Sequence, residues 1–272
     1  MKIIHFLAVI LICTGIYGFT GDFTDTVKTE LEYDTSLLES HGVIRVGVLY
    51  KLKPGWHIYW KNSGDSGLPT KIEFTLPEGF ESGEIQWPLP HAYERDGDIL
   101  DYGYEKEVLL WSDIKIPSAY KEQTIPVSIK TKWISCEEIC IPGKSEFTQK
   151  LTLNHKNKLF DSWIEKIPSQ KNIPFDIKVV NSGDITHIVI NNKGIGNNFK
   201  LFPNPGKAIE LDSISYKNND NNQSDISFTV NIYPGHEVKT NKIDTVISYT
   251  DIENKQKGFE YSINLDDLIV KN

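Results

Sequence analysis

An all-β fold of two antiparallel sandwich domains with a short linking helix is what this sequence predicts. Apolar residues recur with period two along most of the chain, turn residues punctuate those runs, and one stretch alone shows helical spacing. The 272 residues are 39% hydrophobic and 24% charged, an ordinary globular composition with room for two domains of roughly 100–150 residues.

Ile44, Val46, Val48, Tyr50 and Leu52 alternate against Arg45, Gly47 and Lys51 and read as a half-buried strand. Ile72, Phe74 and Leu76 repeat the pattern. Val127, Ile129 and Trp133 carry it up to Cys136, and Phe147, Leu151 and Leu153 resume it beyond Cys140. Turn signals separate the runs at Lys53-Pro54-Gly55, Asn62-Ser63-Gly64, Pro77-Glu78-Gly79 and Pro142-Gly143. Residues 158–167 (KLFDSWIEKI) place Leu159, Phe160, Trp163, Ile164 and Ile167 at helical spacing, and Pro168 ends the run. This amphipathic helix is expected to close a first domain over 21–168, with a polar linker near 169–172. A second, smaller sandwich is expected over 169–272. Its strands are signalled by Ile185, His187 and Val189, by Phe228, Val230 and Ile232, and by Phe259, Tyr261, Ile263 and Leu265. The polar run 217–225 (KNNDNNQSD) reads as a solvated hairpin loop.

The N-terminus sets the compartment. Lys2 is followed by an almost wholly apolar run over residues 3–13 and then by Gly15, Gly18 and Gly21. About 11 apolar residues are too few to span a bilayer, which takes about 20, and they fit the core of a secretory signal over residues 1–20. An uncleaved anchor is the alternative. A lipoprotein reading through Cys13 is disfavoured by Ile12, where a small residue belongs. Removing residues 1–20 takes away one lysine and no acid, so the formal charge becomes −9, one unit below the −8 of the whole chain. No basic block is left, which argues against a nucleic-acid or anionic-membrane partner.

Only Cys136 and Cys140 remain after processing, and an isolated pair in an exported protein is most often a structural disulfide. Along one extended strand they would lie about 13 Å apart, whereas a disulfide needs Cα atoms within about 7 Å. They can pair only if the chain reverses or coils through Glu137, Glu138 and Ile139. So small a loop restricts the unfolded chain little, which weakens a purely structural role. The adjacent acids disfavour a nearby thiolate and make the pair a better electron donor than acceptor, unless both point to solvent. Two thiolates could hold Cu(I), yet no His or Met is near in sequence, and a closed zinc site needs four ligands; no metal and no cofactor is expected. Trp56, Tyr59, Trp60, Trp87 and Trp133 read as packing residues. His57 and His91 have no nucleophile or carboxylate beside them in sequence, and the GDSG at 64–67 has no assignable catalytic partners.

Four separate segments carry a resemblance: GWHIYWKNSGDSGLPTKIEF from residue 55, IQWPLP at 85–90, DYGYEKEVLLW at 101–111 and WISCEEICIPG at 133–143. In order, spacing and Cys-x-x-x-Cys-x-Pro signature, residues 25–155 resemble the periplasmic N-terminal region of the DsbD/ScsB thiol:disulfide interchange family. LFPNPG at 201–206 resembles a stretch of the ScsB-type second domain. The resemblance implies immunoglobulin-like sandwiches in a periplasmic protein, with Cys136 and Cys140 as a redox-active pair. The pair would take electrons from a membrane-embedded thiol reductase and hand them to periplasmic thioredoxin-like proteins. It also implies a cap loop over the pair at Asp101, Tyr102, Gly103 and Tyr104. The family's membrane domain has no counterpart in this sequence, so the donor is expected to be a separate protein. The competing readings are a β-sandwich binding protein with a structural disulfide and a Cu(I)-binding copper-tolerance accessory.

Overall fold

A computed structural model describes residues 26–95, 99–171, 173–206, 208–219, 223–233, 241–268 and 270–271. The expected signal segment, residues 1–20, lies outside them. The first half comprises β1 (Val27–Asp34), helix α1 (Leu38–His41), β2 (Val43–Leu52), β3 (His57–Gly64), β4 (Lys71–Thr75) and β5 (Glu81–Gln86). It continues with β6 (His91–Arg95), β7 (Ile99–Glu105), β8 (Glu107–Lys115), β9 (Thr124–Cys136), β10 (Cys140–Thr152) and helix α2 (Leu159–Ile164). The strands form one sheet in the order β1-β2-β8-β5 and a second in the order β10-β9-β3-β7-β6, with β4 also paired to β9. All these pairings are antiparallel. The two sheets enclose a core that includes Ile44, Tyr50, Ile58, Trp60, Leu110 and Trp133.

The second half contains β11 (Asp176–Ser182), β12 (Ile185–Asn191), β13 (Gly196–Asn204), β14 (Ile209–Asn219), β15 (Gln223–Ile232), β16 (Lys242–Asp251), β17 (Gln256–Asn264) and β18 (Val270–Lys271). One sheet runs β11-β12-β15-β14, with β18 beside β15, and the other runs β13-β16-β17. Between them lies a separate core built on residues such as Phe175, Ile188, Leu201, Phe228 and Ile247. The protein is thus all-β, as its period-two patterning predicts. Among the described residues no helix is long and apolar enough to cross a membrane.

Several local expectations are corrected. In β12 the buried face is Thr186, Ile188 and Ile190, while Ile185 is 42% exposed and His187 and Val189 are only partly covered. Residues 185–190 are apolar on both faces, so period two marks a strand there without fixing which side faces inward. Helix α2 buries Phe160 and Trp163 but stops at Ile164, leaving that side chain on the outside. Past the helix, the start of the expected linker is docked. Ser169 N–H donates to Gly258 O at 2.8 Å, and Glu260 N–H donates to Ser169 O at 2.9 Å. The polar run 217–225 is mostly ladder, with Lys217 opposite Asp225; its tip, 220–222, lies outside the described residues.

Pro142 and Gly143 do not turn. They continue β10 opposite Ile134 and Trp133. Because β10 is an edge strand, a proline there is tolerated. Gly143 leaves room for an indole, since a Cβ at this position would sit 2.3 Å from the Trp133 ring. Asn62-Ser63-Gly64 likewise lies inside β3, where the β3–β7 register slips between Tyr59 and Gly64.

Candidate functional site at the tip of the β9–β10 hairpin

Strands β9 and β10 run thirteen residues each and meet in a three-residue turn, with Glu137 N–H donating to Ile139 O at 3.2 Å. Cys136 ends one strand, Cys140 begins the other, and the two are register partners. Their Cα atoms stand 4.2 Å apart and the sulfurs are bonded. The chain reversal that the cysteine spacing requires is therefore present.

The two sulfurs have unlike surroundings. In β9 the odd-numbered residues from Ile125 to Ser135 face the core, so Cys136 falls on the outer face with Lys130 and Lys132. Those lysines are exposed, yet Cys136 is 0% exposed. Cys140 is exposed, beside the exposed Glu137 and Glu138 and an Ile139 that is 50% exposed. The outer face of the sheet must therefore be covered over one cysteine and open over the other.

The cover comes from β3, whose His57 is the cross-strand partner of Cys136. Two residues on, Tyr59 donates its hydroxyl to Cys136 Sγ at 3.1 Å and stands 4.0 Å from Cys140 Sγ. A strap over residues 64–67 lies on Tyr59. Gly67 has φ +72°, and a Cβ there would fall 2.1 Å from the Tyr59 ring, so only glycine fits. Ser66 anchors the strap, donating its N–H and its hydroxyl to the Asp101 carboxylate at 2.9 and 2.8 Å. His57 packs edge-on to Tyr59 and stacks on Tyr93 at 4.9 Å.

Behind this cover lies a charge pair whose acid, Asp101, is buried and whose base, Arg95, is half-buried. Asp101, 0% exposed, receives Arg95 Nε at 3.1 Å, and Arg95 Nη2 donates to His57 Nε2 at 2.8 Å. A guanidinium can only donate, so Nε2 accepts and the His57 proton sits on Nδ1. Burial and the Arg95 charge hold the His57 pKa below its ordinary 6.5, against the opposing pull of Asp101 and Glu105. The imidazole is therefore neutral at pH 7. A depressed folded-state pKa contributes stability in full above the unfolded pKa of about 6.5 and loses it as pH falls through the folded value. Urea unfolding between pH 5 and 8 should show the stability difference between the native protein and His57→Gln steady above about pH 7. That difference should shrink, at the native protein's expense, below about pH 6.5.

Sequence and structure differ on what covers the pair. Asp101, Tyr102, Gly103 and Tyr104 are not a loop but part of β7, an interior strand flanked by β3 and β6. Period two explains it: Tyr102 and Tyr104 alternate with Asp101 and Gly103 and point into the core. Asp101 still reaches the site, through Arg95 and the Ser66 strap. Tyr59 and His57, read from sequence as packing and as partnerless, are the side chains around the buried sulfur. The one hint was their period-two spacing, which puts both on one face of β3. Ser66 of the GDSG segment bonds a carboxylate and, among the described residues, no histidine, and its role is to hold the strap.

Residues 25–152 match the family described as the N-terminal part of thiol:disulfide interchange protein DsbD. The chain is similar to the crystal structure of the N-terminal periplasmic domain of ScsB from Proteus mirabilis, with a TM-score of 0.65 and 17% identity over 88% of this chain and 94% of that one. A conserved domain protein from Bacillus anthracis aligns over 89% of this chain and 88% of its own at 8% identity, with a TM-score of 0.22. No curated protein matches the chain.

Proposed function

The chain belongs, through residues 25–152, to the family of the DsbD N-terminal domain, and on that premise we propose that it relays electrons through the Cys136–Cys140 dithiol/disulfide. The observation that carries this reading is the asymmetry of the two sulfurs, one exposed at a hairpin tip and one buried under a tyrosine hydroxyl. Cys140 is the sulfur that a partner reaches.

In the reducing half-cycle a donor thiolate attacks Cys140 Sγ. The intramolecular S–S bond breaks, and Cys136 leaves as a thiolate that the Tyr59 hydroxyl stabilises by hydrogen bonding. The donor's second thiolate then attacks its own sulfur in the mixed disulfide and releases Cys140, so the donor is oxidised and the pair holds two electrons. In the oxidising half-cycle the Cys140 thiolate attacks an acceptor disulfide and expels one acceptor thiolate. Cys136 attacks Cys140, expels the second, and closes the internal bond again. Family membership favours a membrane-embedded thiol reductase as donor and periplasmic thioredoxin-like proteins as acceptors. The protein then works in the periplasm after removal of residues 1–20, with residues 21–168 as the redox module and 169–272 as its companion domain. The bridge joins two residues already paired in a ladder across three residues, so as a staple it would add little.

The reduction potential is the test. The full chain is expected to equilibrate with a glutathione buffer above about −300 mV and to exchange with a thioredoxin-like protein. A pair far below that value and inert to such proteins makes the bridge structural.

A further inference from the structure

Strand β13 is buried on both faces. Phe199 and Leu201 point into the second core, while Phe202 is 3% exposed and belongs to the first. Its ring stands edge-on to Trp60 at 6.3 Å and to Tyr102 at 5.3 Å. Its register partner Val246, on β16, joins the same cluster. On either side, Pro203 O accepts from Asn62 Nδ2 at 2.7 Å, and Lys200 Nζ pairs with Glu94 Oε1 at 3.3 Å. The second sandwich thus supplies part of the first one's core.

The place it plugs lies directly behind the redox cover. Trp60 follows Tyr59 on β3, and Tyr102 sits between Asp101 and Gly103 on β7. Tyr59 and Gly103 are register partners, and beyond that pair the β3–β7 ladder lapses until Gly64. Where backbone pairing stops, Phe202 joins the two strands through their side chains. From this juxtaposition we propose that Phe202 is a positioning residue for the disulfide: it clamps β3 to β7 so that the Tyr59 hydroxyl stays on Cys136 Sγ. The second sandwich thereby tunes the reactivity of a disulfide carried by the first.

The test is the equilibrium of the full chain with glutathione, in which the disulfide plus two glutathiones gives the dithiol plus oxidised glutathione. A hydroxyl donor binds a thiolate or thiol sulfur better than a disulfide sulfur, so Tyr59→Phe should disfavour the dithiol by about three- to tenfold. Phe202→Ala should shift the equilibrium the same way, and Phe202→Leu, which refills the plug, should restore most of the native value. The Tyr59→Phe/Phe202→Ala double variant should shift no further than Tyr59→Phe alone, because both act on one hydrogen bond. Phe228→Leu, in the second core, should lower stability and leave the equilibrium in place. If Phe202→Ala does not fold, Asn62→Ala cuts the same attachment with the core still filled, and a shift in the same direction is expected. An unchanged equilibrium in a folded Phe202→Ala or Asn62→Ala variant, or additive shifts in the double variant, overturns the proposal. Glutathione stands in for any natural partner, so this outcome is read whether or not the pair relays electrons.

Discussion

Cys136→Ser is expected to turn the protein into a trap, and Cys140→Ser to silence it. In the first variant the exposed Cys140 thiol can still attack an acceptor disulfide, but no second sulfur remains to resolve the product. A mixed disulfide should therefore accumulate with a thioredoxin-like protein. In the second variant the remaining thiol is Cys136, which is fully buried beneath Tyr59 and across from His57. Access limits thiol–disulfide exchange as strongly as thiolate content does, so its mixed-disulfide yield should be lower by more than about tenfold. Non-reducing electrophoresis after incubation with an oxidised partner reads both yields. Alkylation of the reduced native protein gives an independent check, since Cys140 should be modified first. Equal trapping by the two variants would remove the assignment of Cys140 as the attacking sulfur.

Arg95→Ala should cost about 3 kcal/mol of folding stability, a fall in Tm of about 6–10 °C. The reason is the carboxylate it abandons. Asp101 is 0% exposed, and Arg95 Nε lies 3.1 Å from it, with Ser66 the other group bonded to its oxygens among the described residues. Two hydrogen bonds from one serine do not neutralise a buried charge. Arg95→Lys keeps the charge but loses the planar fork that reaches Asp101 and His57 together, so an intermediate loss is expected. Asp101→Asn in the Arg95→Ala background should recover part of the loss, because the orphaned charge is then gone. Thermal unfolding of the four proteins checks the order. A change below about 0.5 kcal/mol for Arg95→Ala would mean that water screens the pair.

The same residues separate what local pattern can carry from what it cannot. The β9–β10 hairpin was legible because its requirements are local: alternation on both sides, and two cysteines that cannot bond unless the chain turns between them. Helix α2 was legible for the same reason, down to the buried Phe160 and Trp163, although Ile164 falls outside its covered face. Phase was not legible in β12, where both faces are apolar, nor was the continuation of β10 through Pro142 and Gly143. That continuation is tolerated because β10 is an edge strand, which only the sheet order decides.

The site divides along the same line. The sequence by itself determined an all-β chain, because period two leaves little other choice, and a cysteine pair that can bond only where the chain reverses or coils between its members. Only the tertiary structure decided which sulfur is open and which is covered. That rests on His57 and Tyr59 from β3, Arg95 from β6, Asp101 from β7 and, behind them, Phe202 from the second sandwich. These residues are separated by tens of positions in the chain and meet through strand order and register. No local periodicity encodes either.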